Sequence, residues 1–130
     1  MERQRLTLEI IHVLHRKLVE TSERDPKSDC IIFSGSTQNG YGMIRKSIDN
    51  ERFRLYAHQV ALLHNTNMTA IPDGLQCSHL CHIKLCVNVA HLSLESQSVN
   101  NNRNMCRNER KCSRDHANSD GSSLPDCIFD

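Results

Sequence analysis

Side chains that bind soft metal ions are concentrated in one short part of the chain. Residues 77–106 contain four cysteines and three histidines, whereas the whole chain of 130 residues has seven cysteines and no tryptophan. Thiolate and imidazole groups are the ligands that Zn²⁺ prefers, and short loops can bring four of them into a tetrahedron. The composition of this stretch therefore indicates structural zinc binding.

The first candidate zinc site is a set of three cysteines and one histidine. Cys81, Cys86 and His91 follow one another with four residues between each successive pair. The fourth ligand must come from outside the stretch, and Cys30 is the only cysteine upstream of it. A metal held by all four would close a loop of about fifty residues. Closing so long a loop stabilises a thin core strongly.

The second candidate zinc site has the same ligand types but is local in sequence. Its ligands are Cys106, Cys112, His116 and Cys127. The segment around them has few apolar residues, so we expect residues 106–130 to be disordered without metal. Eight cysteine and histidine residues thus form two complete ligand sets, which favours two structural Zn²⁺ ions over accidental clustering.

Three ligand-type side chains of the stretch stay outside both sets. We expect Cys77 to be a small buried apolar residue. His82 is assigned no role, and His79 is not required as a zinc ligand. The spacing alone does not say what His79 does.

The zinc ligands must be brought together by secondary structure. The first element predicted along the chain is an N-terminal helix. Residues 5–22 carry apolar side chains at helical spacing with charged residues between them. Pro26 disfavours helical geometry at the residue before it, so the helix should end before Asp25. We expect this helix to cover the core, with binding of a partner protein as the alternative. Its apolar positions are Leu6, Ile10, Ile11, Leu14 and Leu18.

A β-hairpin is predicted next, with strands at 41–46 and 52–57 joined by the residues 47–51. One face of the hairpin would expose arginines. An antiparallel ribbon with exposed arginines has the shape of a major-groove reader, although any solvated hairpin has the same shape. The candidate DNA-binding residues are Arg45, Lys46, Arg52 and Arg54.

The metal-rich stretch itself predicts a ββα unit. A strand over 75–80 is followed by a metal-held loop over 81–91 and a second strand over 92–96. A helix begins after it, with Ser96 or Ser98 as its N-cap. That start places Asn100 in the first turn of the helix.

The stretch also resembles a known family at the level of individual residues. It is similar to the His-Cys box of the small homing endonucleases, which belong to the wider His-Me finger (ββα-metal) nucleases. The spacing of the matching residues holds without a gap. They are Ser78, His79, Leu80, Cys81, His82, Cys86, Asn88, His91, Leu92, Glu95, Ser96, Asn100, Arg103, Asn104 and Cys106.

The resemblance implies catalytic roles for residues outside the zinc sets. His79 would be the general base, Asn100 would be the protein ligand of one catalytic Mg²⁺ per active site, and Arg52 would contact the phosphate next to the cut. Arg54 is the alternative to Arg52 if the register of the hairpin differs. The implied products carry 5′-phosphate and 3′-hydroxyl ends.

The predicted fold class is α+β: a small zinc-stapled ββα-metal fold with an antiparallel β-hairpin and an N-terminal helix. We divide the chain into a helix and linker over 1–29 and an endonuclease domain over 30–130. Within that domain, 30–105 would hold the first zinc site, the DNA-binding hairpin and the active site. Residues 106–130 would form the second zinc-bound loop.

The expected function is that of a metal-dependent endonuclease acting on double-stranded DNA, similar to a homing endonuclease. Two alternatives stay open: a monomeric nicking or weakly specific nuclease, and a non-catalytic zinc module that binds nucleic acid or protein. The chain ends three residues after Cys127, so a homodimer would form without the family's swapped C-terminal tail. The net charge of +1 does not indicate a dedicated basic DNA-binding stripe.

The cellular setting is expected from composition alone. An odd number of cysteines without a secretory signal argues against a disulfide framework, so we expect a reduced, intracellular protein. Its location would be nuclear or wherever its DNA target lies. No apolar run has the length of a membrane-spanning helix, so no membrane partner is expected.

Overall fold

The structure is a computed structural model that describes residues 6–114, 116–117 and 123–128. The beginning of the predicted N-terminal segment and parts of the predicted tail, including its last two residues, lie outside the described residues. The helices are Leu8–Glu20 (α1), Ala57–Thr66 (α2) and Gln97–Glu109 (α3). The strands are Ser22–Arg24 (β1), Ile31–Phe33 (β2), Thr37–Gln38 (β3), Tyr41–Ile48 (β4), Glu51–Tyr56 (β5), Leu75–His79 (β6) and Leu92–Ser96 (β7).

The strands form small antiparallel sheets, and the helices cover them. In the described residues β1 pairs with β2, β3 and β5 flank β4, and β6 pairs with β7. The predicted α+β class is therefore confirmed. Strand β1 was not predicted, because three residues with the pattern Ser-Glu-Arg carry no strand signal; their pairing with β2 is what makes them extended.

The N-terminal helix belongs to the core, as the sequence predicted. Thr7 caps α1 by accepting a hydrogen bond from the backbone N–H of Ile10 at 3.2 Å. Its residues Ile11, Leu14 and Leu18 are buried, and α1 lies against α2 and β4. Burial of three aliphatic side chains stabilises the fold by roughly 1.5–3 kcal/mol each.

The hairpin of β4 and β5 has a tighter turn than predicted. A five-residue connection over 47–51 was expected, and this is wrong: the strands extend to Ile48 and from Glu51, so only Asp49 and Asn50 remain between them. Both have positive φ, 49° and 66°, as a type I′ turn requires. Asp and Asn tolerate that conformation, and the turn twist matches the strand twist, so the strands continue pairing to the turn.

The ββα unit is present as predicted. Strand β6 pairs with β7 in a register that places His79 opposite Leu92. Ser96 is the N-cap of α3, because its Oγ accepts a hydrogen bond from the N–H of Val99 at 3.3 Å. Asn100 is accordingly the fourth residue of α3.

Candidate metal centres and active site

The first predicted ligand set comes together around one point. The ligand atoms of Cys30, Cys81, Cys86 and His91 all lie within 4.8 Å of one another. The Nδ1 atom of His91 is 3.5 Å from the sulfur of Cys30 and 3.6 Å from that of Cys86. Two of these cysteines are fully buried, so the site is closed to solvent on those sides.

Backbone pairing explains how Cys30 reaches ligands that lie far along the chain. Strand β2 pairs with the metal loop: Phe33 N–H donates to the Leu85 carbonyl at 2.9 Å, and Val87 N–H donates to the Ile31 carbonyl at 2.7 Å. The side-chain amide of Asn88 donates to the carbonyl of Asp29 at 2.8 Å. These bonds place Cys30 and Cys86 on facing segments.

The second predicted ligand set is also assembled. The ligand atoms of Cys106, Cys112, His116 and Cys127 lie within 4.8 Å of one another. The distances to Nε2 of His116 are 3.7 Å from the sulfur of Cys106, 3.4 Å from that of Cys112 and 3.4 Å from that of Cys127. The first ligand lies on α3, whereas the other three come from the segment that follows the helix.

Both ligand sets fit Zn²⁺. In a tetrahedral site the Zn–S and Zn–N bond lengths place sulfur about 3.6 Å from nitrogen. The measured sulfur–nitrogen separations of 3.4–3.7 Å agree with this value. A single ring N–H of His116 could not donate to three sulfurs, whereas one metal ion can bind all four atoms. Two structural zinc sites follow from the two sets.

The thiols of the first set cannot all ionise without a cation. A hydrogen bond with Cys86, together with burial, raises the pKa of Cys81. The same hydrogen bond lowers the pKa of Cys86 to about 4, because it stabilises that thiolate. Burial raises the pKa of Cys30. A bound Zn²⁺ supplies the positive charge that allows all three to bind as thiolates.

His79 lies at the end of β6, two residues before the first ligand of the metal loop. Its Nε2 is 3.0 Å from the carbonyl oxygen of Cys86. Because a carbonyl only accepts, Nε2 carries the proton and Nδ1 keeps its lone pair. Burial lowers the pKa of His79 below the ordinary value, and the Cys86 carbonyl opposes that shift. The ring is therefore neutral, with one basic nitrogen.

Other rings fix the orientation of His79. The ring of His58, on α2, lies 4.6 Å from that of His79, and the ring of Tyr41 lies 5.8 Å away. The ring of Tyr56 completes the group at 5.7 Å from both His58 and Tyr41. Burial, with a smaller effect from His79, lowers the pKa of His58 to about 3. Sequence reasoning missed His58, whose only signal was a polar residue in an otherwise buried short helix.

Asn100 lines a cavity of about 370 Å³ beside these rings. Its side-chain N–H donates to Oε1 of Gln76 at 2.9 Å, so the amide oxygen of Asn100 is left free to bind a cation. His58 and Tyr41 form other parts of the cavity wall. Gln76 was also missed, because a glutamine in a short strand carries no sequence signal of function.

The hairpin extends away from this cavity with its arginines exposed. Arg45 pairs across the strands with Arg54, and Ser47 pairs with Arg52, so the three arginines share one face. Tyr56 is on that face too, and Arg54 is two residues from it whereas Arg52 is four residues away. At about 3.3 Å per residue, Arg52 begins some 13 Å along the strand from Tyr56. Lys46 pairs with Phe53 and so lies on the other face.

Cys77 has the structural role that was predicted. It is buried in the hydrophobic cluster together with Phe53 and Leu92. Burial, aided by the charge of Glu95, raises the pKa of its thiol to about 12, so it remains protonated and unreactive. Its sulfur is 3.9 Å from the backbone carbonyl oxygen of His58.

Together, a ββα unit, two Cys3His clusters and an α+β fold define a small zinc-stapled domain. Residues 29–130 match the family model described as the zinc-binding loop region of homing endonuclease. The chain belongs to this family, which confirms the resemblance seen in the sequence. No curated protein and no solved structure matches the chain. Among the described residues, no helix has both the length and the apolar character needed to cross a membrane.

Proposed function

We propose that this protein is a metal-dependent endonuclease that hydrolyses phosphodiester bonds of double-stranded DNA to 5′-phosphate and 3′-hydroxyl ends. The observation that supports it most is that Asn100 lines one cavity together with His58, whose ring lies 4.6 Å from the ring of His79. Neither His79 nor Asn100 is needed by either zinc cluster. Membership in the homing endonuclease family supports a nuclease-related role.

In this proposal His79 is the general base. The Cys86 carbonyl holds Nε2–H, so Nδ1 accepts a proton from the water that attacks phosphorus. Because Cys86 is also a ligand of the first zinc site, the zinc-held loop determines where the base is held. The rings of His58 and Tyr41 limit rotation of His79, which keeps the lone pair directed to one position.

Asn100 is the proposed protein ligand of a catalytic Mg²⁺. An amide oxygen is a hard donor of the kind that Mg²⁺ accepts, and the ion retains water and substrate phosphate as its other ligands. When bound, it would neutralise the charge that develops on the scissile phosphate and the departing 3′ oxygen. Gln76 orients the amide of Asn100 so that its oxygen faces away from the hydrogen bond.

The arginine face of the hairpin is the proposed DNA contact surface. Arg45, Arg52 and Arg54 are exposed on one side of β4 and β5, beyond the cavity. A guanidinium binds phosphate through two parallel N–H bonds, so this face can position the duplex over His79. Lys46 would contact phosphate only from the opposite side of the hairpin.

Cleavage of supercoiled plasmid by zinc-loaded protein in Mg²⁺ tests the proposal. His79→Ala should lower the rate by about 10²–10⁴-fold, and Asn100→Ala should remove Mg²⁺-dependent cutting. The matched controls are His12→Ala on the exposed side of α1 and Asn101→Ala, the exposed neighbour of Asn100. Zinc content is measured for every variant, so that loss of folding is separated from loss of chemistry.

The outcome also separates the alternatives. Linear product formed without a nicked intermediate would indicate paired active sites in a homodimer, whereas nicked circles alone would indicate a monomeric nicking enzyme. No cutting of plasmid or of a library of random duplexes, with DNA still bound, would contradict catalysis. That result would identify a zinc module that binds nucleic acid.

A further inference from the structure

A buried ion pair joins β7 to α3 inside the ββα unit, next to the second zinc cluster. Glu95 on β7 is fully buried, and the side chain of Arg103 on α3 is 1% exposed. The Nη2 atom of Arg103 donates to Oε2 of Glu95 at 2.9 Å, and its Nε donates to Oε1 of the same carboxylate. A bidentate pair of this kind fixes the plane of the guanidinium.

The same guanidinium contacts the second cluster on its other edge. Its Nη1 atom lies 3.3 Å from the sulfur of Cys127, and its Nη2 also donates to the carbonyl oxygen of Pro125 at 2.7 Å. Arg103 thus bonds to a zinc-binding cysteine and to the backbone two residues before it. Lysine could not make this set of bonds, because it has no planar fork of donors.

The second zinc site and the carboxylate of Glu95 are both negatively charged, which favours one cation in contact with both. Three thiolates around one Zn²⁺ give the second site a net charge of −1, and Glu95 adds another buried negative charge. Arg103 is the buried cation in contact with both. An N–H group that donates to a metal-bound thiolate stabilises the charge of that ligand, and loss of such a hydrogen bond typically weakens metal binding 10–100-fold.

We propose that Arg103 is a positioning residue of the second metal site: it holds Cys127 and the Pro125 carbonyl in place for Zn²⁺ while anchoring this segment to β7 and α3. The segment that contains Cys127 also contacts the residue that follows His79. The N–H of Ile128 donates to the carbonyl of Leu80 at 2.7 Å, and Leu80 lies between His79 and Cys81. The second zinc site therefore helps to hold in place the end of β6 that carries His79.

The test measures zinc occupancy of each site separately in the full chain. Protein is equilibrated in a series of zinc buffers, the free thiols are alkylated, and protection is read for the peptides of each cluster by mass spectrometry. Arg103→Lys should require about 10-fold more free Zn²⁺ or higher to protect Cys127, with protection of Cys30 unchanged. Arg107→Lys, an exposed arginine four residues further along α3, is the matched control and should behave as wild type.

Two further variants separate metal positioning from general stability. Glu95→Gln removes the carboxylate charge but leaves the Cys127 contact, so second-site occupancy should stay near wild type even if unfolding becomes easier. Glu95→Leu with Arg103→Met replaces the pair by apolar groups of similar size, which often preserves folding. This double variant should fold, and its second site should be weakened as in Arg103→Lys.

A spectroscopic reading applies to the same proteins loaded with Co²⁺. Loss of the N–H donor to the thiolate should shift the sulfur-to-cobalt charge-transfer band of Arg103→Lys to lower energy. Wild-type zinc occupancy and an unshifted band in Arg103→Lys and in the double variant would overturn the proposal. Equal weakening of both zinc sites would also overturn it, since that result would show a purely structural ion pair.

Discussion

At the residue scale, His79 and Asn100 are each oriented by one hydrogen bond that the side chain donates to an uncharged acceptor. The carbonyl of Cys86 holds the ring of His79, and the side chain of Gln76 holds the amide of Asn100. Each bond uses an N–H of the oriented side chain and leaves its other polar atom, Nδ1 of His79 or the amide oxygen of Asn100, available for the proposed chemistry. The reactivity proposed for both residues therefore depends on neighbours that have no reactive group of their own.

The first residue-scale prediction concerns Gln76. Gln76→Ala removes the acceptor that orients the amide of Asn100, so about 10-fold more Mg²⁺ or higher should be needed for half-maximal cleavage. The rate at saturating Mg²⁺ should change little, because His79 is untouched. Gln59→Ala, a change elsewhere in the cavity wall, is the control. An unchanged Mg²⁺ requirement in Gln76→Ala would contradict the orienting role.

The second residue-scale prediction distinguishes the role of Arg52 from that of Arg54. The resemblance assigns the scissile phosphate to Arg52, whereas the strand register brings Arg54 closer to Tyr56 and the cavity. We expect Arg52→Ala to lower the cleavage rate of bound DNA, and Arg54→Ala to weaken DNA binding with a smaller salt dependence. Single-turnover rates and binding at several salt concentrations measure the two effects. If the effects are exchanged, Arg54 is the phosphate contact of the active site.

At the element scale, the packing of α1 on α2 positions His58, whose ring lies beside that of the proposed general base His79. Helix α2 carries His58 on one side and is buried by α1 on another. The contact includes stacked rings of His15 and His64, whose centroids are 3.6 Å apart, with His12 5.7 Å from His64. Because imidazole groups gain protons as the pH falls, acid should weaken the packing of α1 against α2.

The element-scale prediction follows from His15. Burial first, then the charges of His64 and His12, lowers the pKa of His15 in the folded protein. A depressed pKa means that the unfolded chain binds the proton more readily. The contribution to stability is therefore present above the ordinary pKa near 6.5 and is lost as pH falls below it. Stability should decrease between pH 7.5 and 5.5.

The measurement compares urea unfolding of wild type and His64→Gln at both pH values. His64→Gln removes one cause of the shift, so its stability should fall less on acidification than that of the wild type. Because acid can also displace Zn²⁺, zinc content is measured at both pH values, and only samples with both sites filled are compared. An equal decrease in the two proteins would exclude His64 as a cause.

At the scale of the whole molecule, the two zinc sites cross-link different distances along the chain. The first joins the start of β2 to the ββα unit, across about fifty residues, and two of its ligands, Cys30 and Cys86, are fully buried. The second joins α3 to the segment that follows it. Because of this difference, the two metals should stabilise different parts of the fold against unfolding.

The whole-molecule prediction is a graded loss of structure. Cys112→Ser should release the second zinc and increase hydrogen exchange after α3 and at the end of β6, while α1, α2 and the hairpin of β4 and β5 stay protected. Cys30→Ser should destabilise the whole fold, because the core is thin and loses its long-range cross-link. Hydrogen-exchange mass spectrometry, resolved by segment, distinguishes the two patterns. Exchange restricted to the metal loop in Cys30→Ser would contradict the prediction.

The sequence by itself determined the features that depend on local spacing. Helical periodicity indicated α1, alternation and a serine cap indicated the ββα unit, and ligand types divided into two complete sets. Most of these signals act through neighbouring residues, since a helix face, a cap and a metal loop are all short-range. The exception is Cys30, which was assigned to the first set because it is the only cysteine upstream of residue 77. The family pattern added His79 and Asn100, because their positions are set relative to the zinc ligands.

Only the tertiary structure decided how distant groups meet. Strand β1 forms because β2 is available to pair with it, and the turn at Asp49–Asn50 depends on the strand twist. The contacts of His58 with His79, of Gln76 with Asn100 and of Arg103 with Cys127 have no sequence signal, because each joins residues more than twenty positions apart along the chain. Chain folding, not spacing, brings such groups within bonding distance, so the shape of the site is a property of the whole domain.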